Sequence, residues 1–422
     1  MFYNIYKNET GRKTMIVKQY IKDFEKLGFG MFVHFGLYSE LGKGEWSQEI
    51  LQISQSEYEK LCNRFNPDKD WAKKLVALAK EVGCKYINLT TRHHDGFSLY
   101  DTCGLNEYDA PHVCGRDLVK EFVDACNEGG IIPFFYHTLF DWKDDLFETD
   151  FKGYLKYLRQ SVEIVCKNYG KIGGIWFDGY WKRKGWDWEE DELYGLIRKY
   201  QPDAMIINNT GLFEQGALGH IELDSVTFER GNPLPINQPG APKYIAGEMC
   251  QVMNDHWGYA EEDVNYKSVG SLINDLVQCR RYHCNLLLNV GPMGNGLIRP
   301  IDAEILRLIG KFVEKNAEAL YDVEPSGIEV DNPDDFILKK GNTYYVFRVN
   351  TPMSANPDVA LTGAYRVGVS FDLDKKIQSA VWLDSDENAS VTVENGRVNI
   401  KTTPYAYGRS YYVRVCKLVC EE

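Results

Sequence analysis

A (β/α)8-like TIM barrel followed by a C-terminal antiparallel β-sandwich is the fold that three observations predict. Eight short apolar runs recur through the first three quarters of the chain, most of them separated by stretches of helical periodicity. From about Glu324 the texture changes to short runs rich in Val, Tyr and Thr between turn signals. The length, 422 residues, exceeds one ordinary domain and suits a barrel with a smaller module. The expected domains are a catalytic barrel over 1–325 and a β-sandwich over 326–422.

The barrel elements follow in order. After a polar lead-in, Phe29 to Phe35 forms a first buried strand ending at His34 and Gly36. Trp71, Leu75, Leu78, Ala79 and Val82 share one face of a helix that stops at Gly83. Lys85 to Thr91 is the second strand and runs into Arg92-His93-His94-Asp95-Gly96. Leu118, Phe122, Cys126 and Gly129 mark the next helix. Ile131 to Tyr136 is the third strand, bent or locally unpaired at Pro133, because proline cannot donate to a ladder. Phe151 to Tyr169 is an amphipathic helix. The fourth strand, Ile172 to Phe177, closes abruptly in Asp178-Gly179, as a fully buried parallel strand does. A helix over Trp188 to Tyr200 leads to a fifth strand, Ala204 to Asn208. Glu222 to Phe228, ending at Glu229, is the sixth strand. A short seventh covers Lys243 to Ala246 and ends at Glu248. A helix over Tyr266 to Tyr282 precedes the eighth strand, Cys284 to Val290, and Asp302 to Leu320 is the closing helix. Between strands five and seven the sequence reads as loops, so a distorted barrel is allowed.

The sandwich strands are expected at Phe336 to Lys339, Thr343 to Asn350, Tyr365 to Phe371, Ser379 to Leu383, Ser390 to Val393, Val398 to Lys401 and Ser410 to Val419. Lys340-Gly341-Asn342 and Glu394-Asn395-Gly396 supply turns between them.

Composition narrows the function. The formal net charge of −13 argues against nucleic acid or an anionic membrane as the main partner. The chain has no run of 18 or more apolar residues, so no membrane span is expected. Residues 1–15 carry no apolar core of secretory type. The 11 cysteines are odd in number and scattered, several in apolar runs. Reduced buried thiols in a cytoplasmic protein are the expectation. Nothing in the sequence sets the oligomeric state.

The chemistry gathers where the strands end. In a β/α barrel that rim holds the active site. Read in turn, the strand ends carry His34, His93-His94, Tyr136-His137, Trp176 with Asp178, Glu229 and Glu248, with Glu45-Trp46 in the first loop. Asp178 is too far from the helix near Trp188 to be its N-cap. Two carboxylates on different strands of one rim are the minimum equipment for glycoside hydrolysis. Imidazoles bond sugar hydroxyls, and aromatic faces cover apolar ring edges. Adjacent residues of an extended segment point to opposite sides, so His93 and His94 share the cleft only where the chain has turned. Two rival readings remain. In a metal-dependent hydrolase, His34, His93, His94, His137 and Asp178 would hold Zn²⁺, although no His-x-His or helical His-x-x-x-His spacing occurs. In a carbohydrate-binding protein the barrel would no longer catalyse.

Six segments carry a resemblance: Gly30 to Ser39, Gly44-Glu45-Trp46, Thr91 to Phe97, Trp176 to Gly179, Met253 to Tyr259 and Asn285 to Pro292. In this order the chain resembles glycoside hydrolase family 29, the α-L-fucosidases. The resemblance implies retaining hydrolysis of a fucosylated glycan or small fucoside, without metal or other cofactor, through a covalent fucosyl-enzyme. It implies Asp178 as nucleophile and a fucose pocket of His34, Glu45, Trp46, His93, His94, Tyr136 and Trp176. The acid/base of the family is variable and usually follows in a Thr-x-Glu setting. Thr227-Phe228-Glu229 matches it, with Glu248 in Gly247-Glu248-Met249 as second choice and otherwise a substrate contact. Some members carry an Arg beside an Asn after the fifth strand. Here Asn208-Asn209 is followed by Thr210, so that contact is absent or comes from elsewhere, such as Arg230. A retaining pair stands roughly 5 to 5.5 Å apart, which is the separation expected for Asp178 and Glu229.

Overall fold

The computed structural model describes residues 17–210, 212–351 and 368–421. Eight parallel strands close into a barrel in sequence order: β1 (Phe29–Val33), β2 (Tyr86–Arg92), β3 (Ile132–Thr138), β4 (Gly174–Asp178), β5 (Met205–Asn208), β6 (Ser225–Glu229), β7 (Ala246–Val252) and β8 (Cys284–Val290). β8 returns to β1 with Leu286 beside Phe29 and Val290 beside Val33. The expected distortion is confined to the connections: β5 and β6 are joined by a stretch of turns, and their ladder registers only Ile207 with Ser225.

Most strands are buried along their whole length, which explains why their sequences read as continuous apolar runs. The interior is filled by Phe32, Tyr86, Phe134, Tyr136, Trp176, Met205, Ile207, Cys250 and Leu287. Gly30 is required here, because a Cβ would meet the Tyr86 ring at 2.4 Å. Pro133 is the second residue of β3 and its carbonyl accepts from Gly173 N. Its missing N–H falls before β4 begins, so the strand is neither broken nor unpaired.

The seventh strand is corrected. It runs from Ala246 to Val252 rather than ending near Ala246, so Glu248 lies in its interior and not at its tip. Register makes the depth explicit: Thr227 pairs with Glu248, and Glu229 pairs with Cys250.

The second compact unit contains a six-stranded antiparallel sheet and a three-stranded one. Their strands are β9 (Glu324–Pro325), β10 (Phe336–Lys340), β11 (Thr343–Val349), β12 (Gly368–Asp372), β13 (Ile377–Trp382), β14 (Glu387–Asn388), β15 (Ser390–Glu394), β16 (Arg397–Lys401) and β17 (Val413–Cys420). The larger sheet has the order β14-β13-β17-β11-β10-β9 and the smaller β12-β16-β15. Ile337, Val346, Val369, Phe371, Trp382, Ile400 and Leu418 form the core of this unit. Of the strand expected over Tyr365 to Phe371, the first three residues lie outside the described residues, as does the N-terminal stretch 1–15. The compact units are Met1–Tyr266 with Asn285–Glu304, and Lys267–Cys284 with Ile305–Glu422. The second therefore takes in the helix Val269–Arg281 and most of the helix Pro300–Leu320, where the sequence placed the boundary after 325. The reason is local contact: Arg281 lies over the Phe336 ring at 5.6 Å, and Glu318 accepts from Tyr345 at 3.1 Å and Lys417 at 2.6 Å.

Candidate active site

Strand alternation builds the site. Each barrel strand sends every second side chain inward. The last inward positions deliver His34, Tyr136, Asp178, Asn209, Glu229 and Cys250 to a cavity of about 100 Å³ at the C-terminal mouth. Trp46, His93, Trp181, Leu212 and Trp257 complete its lining from the loops. That is the scale of a single sugar ring. A larger cavity, about 900 Å³, opens at the opposite ends of the strands beside Phe24, Ile132, Phe134 and Met205. In a barrel that face serves stability, and the convergent carboxylates are all at the other end.

Asp178 ends β4, and Gly179 follows at φ +99°, a left-handed turn that glycine adopts without strain. A Cβ at Gly179 would also meet the Phe140 ring at 2.5 Å. Asp178 is surrounded by donors. Tyr136 donates to Oδ2 at 3.2 Å, and Asn209 Nδ2 and Trp181 Nε1 donate to Oδ1 at 3.3 and 3.4 Å. His94 Nε2 stands 3.4 Å from Oδ2. Burial pushes this carboxyl up, but His94, Asn209 and the Gly179 N–H together outweigh it and hold it below the ordinary range.

Glu229 ends β6 on the same rim. Its Oε2 accepts from Asn209 Nδ2 at 2.6 Å, so one amide nitrogen touches both acids. Oδ1 of Asp178 and Oε2 of Glu229 are thereby kept within about 6 Å of each other. Thr227 Oγ1 donates to Asn209 Oδ1 at 3.0 Å and fixes which end of the amide faces the carboxylates. Burial first, and the charge of Asp178 second, push Glu229 up to about 7. The pair is therefore split: near neutrality Asp178 is ionised while Glu229 still holds its proton in a large share of molecules.

His34 and His93 stay neutral. Burial lowers His34 to about 3, and its Nδ1 is held by Asn289 Oδ1 at 2.7 Å. Burial, then the neighbouring His94 and His34, hold His93 well below its ordinary value. His93 Nδ1 is buried without a partner among the described residues and faces the space a sugar hydroxyl would take. β2 ends at Arg92 and the chain turns from His93, whose carbonyl accepts from Gly96 N at 3.0 Å, so both His93 and His94 reach the site. His94 stacks on Phe140 at 4.5 Å and bonds Thr138 Oγ1 at 2.7 Å.

Tyr136, Trp176 and Trp46 line the cavity. Three residues are placed differently from the sequence reading. Glu45 braces the site from behind: its Oε2 accepts from the N–H groups of Trp257 and Gly258 at 3.1 and 2.7 Å. His137 points outward, bonded to Ser161 Oγ at 3.0 Å and to the Thr138 carbonyl at 2.7 Å, as alternation after Tyr136 requires. Glu248 lies one inward layer below Glu229 and holds Tyr86 and Trp176 instead of reaching the cavity. Arg230 sits at the mouth, over Trp257 at 5.2 Å and bonded to the Asp255 carbonyl at 2.9 Å. Among the described residues no group of three or more His, Cys, Asp or Glu is arranged to hold a metal ion. The sequence reading missed Asn209, Trp181 and Trp257 as lining residues. Asn209 carries a signal in hindsight: it is the first inward position past the apolar run of β5.

A closed (β/α)8 barrel that presents an Asp and a Glu from separate strands to one sugar-sized pocket has the arrangement of the barrel glycoside hydrolases. The family model described as Alpha-L-fucosidase matches residues 6–318, and the chain belongs to that family. It is 28% identical to the tissue alpha-L-fucosidase of Bos taurus over 370 residues, covering 78% of this chain and 75% of that one. The human tissue enzyme is 26% identical over 371 residues, with the same shares of each chain. Among solved structures, alpha-L-fucosidase isoenzyme 1 from Paenibacillus thiaminolyticus superposes with a TM-score of 0.81 at 28% identity, over 96% of this chain and 99% of that one. A Bacteroides thetaiotaomicron alpha-L-fucosidase, described as a trapped covalent intermediate with 2-fluoro-fucosyl fluoride, shares the fold at a TM-score of 0.79 and 22% identity, over 97% of each chain.

Proposed function

We propose that this chain hydrolyses α-L-fucosides with retention of configuration, using Asp178 as nucleophile and Glu229 as acid/base. The observation that carries the reading is the Asn209 amide touching both carboxylates while their ionisation is driven apart. Asp178 attacks the anomeric carbon. Glu229 gives its proton to the departing oxygen. Ester formation consumes the Asp178 charge, which was one of the two causes holding the proton on Glu229. The glutamate then loses its proton more readily and serves as base toward water, whose oxygen displaces Asp178 and releases fucose. Neutral His34 and His93 bond ring hydroxyls, and Trp46, Trp176, Trp181 and Trp257 cover the apolar faces of the sugar.

The substrate is a fucosylated glycan or a small fucoside whose fucose alone enters the cavity. The Bacteroides structure is described as a trapped covalent intermediate, which supports the same chemistry here. Reaction with 2-fluoro-fucosyl fluoride should add one fluorofucosyl group to the peptide containing Asp178, read by mass spectrometry. NMR should show the α-anomer as the first product. Label on another residue, or the β-anomer first, overturns the reading. A reducing compartment such as the cytoplasm suits the buried thiols Cys84, Cys126, Cys166 and Cys416. Reaction of the unfolded chain with a thiol reagent before and after reduction checks this, equal counts being expected.

A further inference from the structure

Beneath the pocket lies a carboxylate that the proposed reaction leaves unused. Glu248 is 1% exposed. Its Oε1 accepts from Tyr86 OH at 2.5 Å and its Oε2 from Trp176 Nε1 at 2.9 Å, so each oxygen has a donor. The Trp176 ring in turn stacks on Tyr136 with centroids 5.8 Å apart and planes at 18°. Tyr136 donates its hydroxyl proton to Asp178 Oδ2. Contacts thus run without a gap from Glu248 through an indole and a phenol to Asp178. Packing in the barrel interior confines the Trp176 ring, and the bond from its N–H to a buried carboxylate adds a directional tie that fixes the ring plane.

We propose that Glu248 is a positioning residue for the nucleophile: by anchoring Trp176 Nε1 it sets the plane of Tyr136, whose hydroxyl orients Asp178. This rests on the reading of Asp178 as nucleophile. The bland alternative is that Glu248 merely satisfies two buried donors and supports the barrel interior.

A double-mutant cycle separates the two. Glu248→Leu should lower the rate of fluorofucosyl labelling and kcat by about 10²-fold, the scale of a small misplacement of a reacting group. In a Tyr136→Phe background, where the relayed hydroxyl is already gone, the same change should cost less than about threefold. Glu248→Gln should keep most of the activity, because its amide oxygen still accepts from Trp176 while its NH2 donates to the Tyr86 oxygen. Trp176→Phe keeps a ring but cuts the tie, so it should reproduce the loss and the non-additivity even where Glu248→Leu fails to fold. Equal fold losses in both backgrounds, or Glu248→Gln as impaired as Glu248→Leu, overturn the proposal. Failure of the nucleophile reading looks different: Asp178→Ala would then keep its activity and label would appear elsewhere.

Discussion

Glu229 and Glu248 face the barrel interior from adjacent strands, and burial pushes both up to about 7. They differ by one inward layer and in their neighbours. Glu248 is closed in by two donors and has no other carboxylate among the causes of its shift. Glu229 opens on the cavity, shares an amide with Asp178, and feels that charge. A raised proton affinity is therefore no mark of an acid catalyst. What separates the two is access to the cavity and a second carboxylate beside it, whose charge the proposed reaction would consume.

The sharpest test of this contrast is Asp178 itself. Asp178→Ala should reduce turnover of an aryl α-L-fucoside by at least about 10³-fold in a standard rate assay, with the fold retained by circular dichroism. Next in size is Glu229→Ala, expected to lose about 10²–10⁴-fold on a natural glycan and less on an aryl fucoside whose leaving group needs no proton. Azide should restore part of the aryl activity by replacing the water that Glu229 activates. Equal losses on both substrates would break the distinction drawn between the two glutamates.

The pH profile sharpens it further. As Glu229 must enter protonated, kcat/KM should fall as pH rises through about 7. In Asp178→Asn the nearby charge is gone, so Glu229 should titrate lower, as followed by carboxyl-labelled NMR, while Glu248 stays in place. The smallest effect is on stability. Unfolded, Glu229 releases its proton near 4.5; folded, it holds on to about 7. The folded state binds the extra proton in that window, so stability falls as pH rises from 4.5 to 7 and stays reduced above it. Glu229→Gln should remove that slope and gain roughly 1–3 kcal/mol at pH 8, with little gain below pH 4.5, in urea melts at both values.

The parts of this site legible in the sequence share one property. Asp178, Tyr136 and Glu229 each end a short apolar run, and at Asp178 and Glu229 full burial ends with the strand. β8 was legible to the residue because Cys284 to Val290 is apolar but for its two asparagines and ends before Gly291-Pro292. β7 was misread because Glu248 and Gln251 interrupt its pattern, and two interior polar residues look like a strand's end. Asn209 was passed over for a different reason: alternation past β5 marks it as inward-facing, but its contact with both acids lies between two strands distant in sequence, and no local pattern encodes that. His137 shows the reverse error, a strand-end imidazole that alternation turns away from the cavity.

The shared amide of Asn209 gives the chain a built-in reporter. Its two protons are the side-chain NH2 resonances of one nitrogen, lodged between an oxygen of Asp178, the proposed nucleophile, and an oxygen of Glu229, the proposed acid. Isotope labelling of that single nitrogen would let one spectrum follow both events, so bond-making and proton departure could be timed against each other without a chromophore on the substrate.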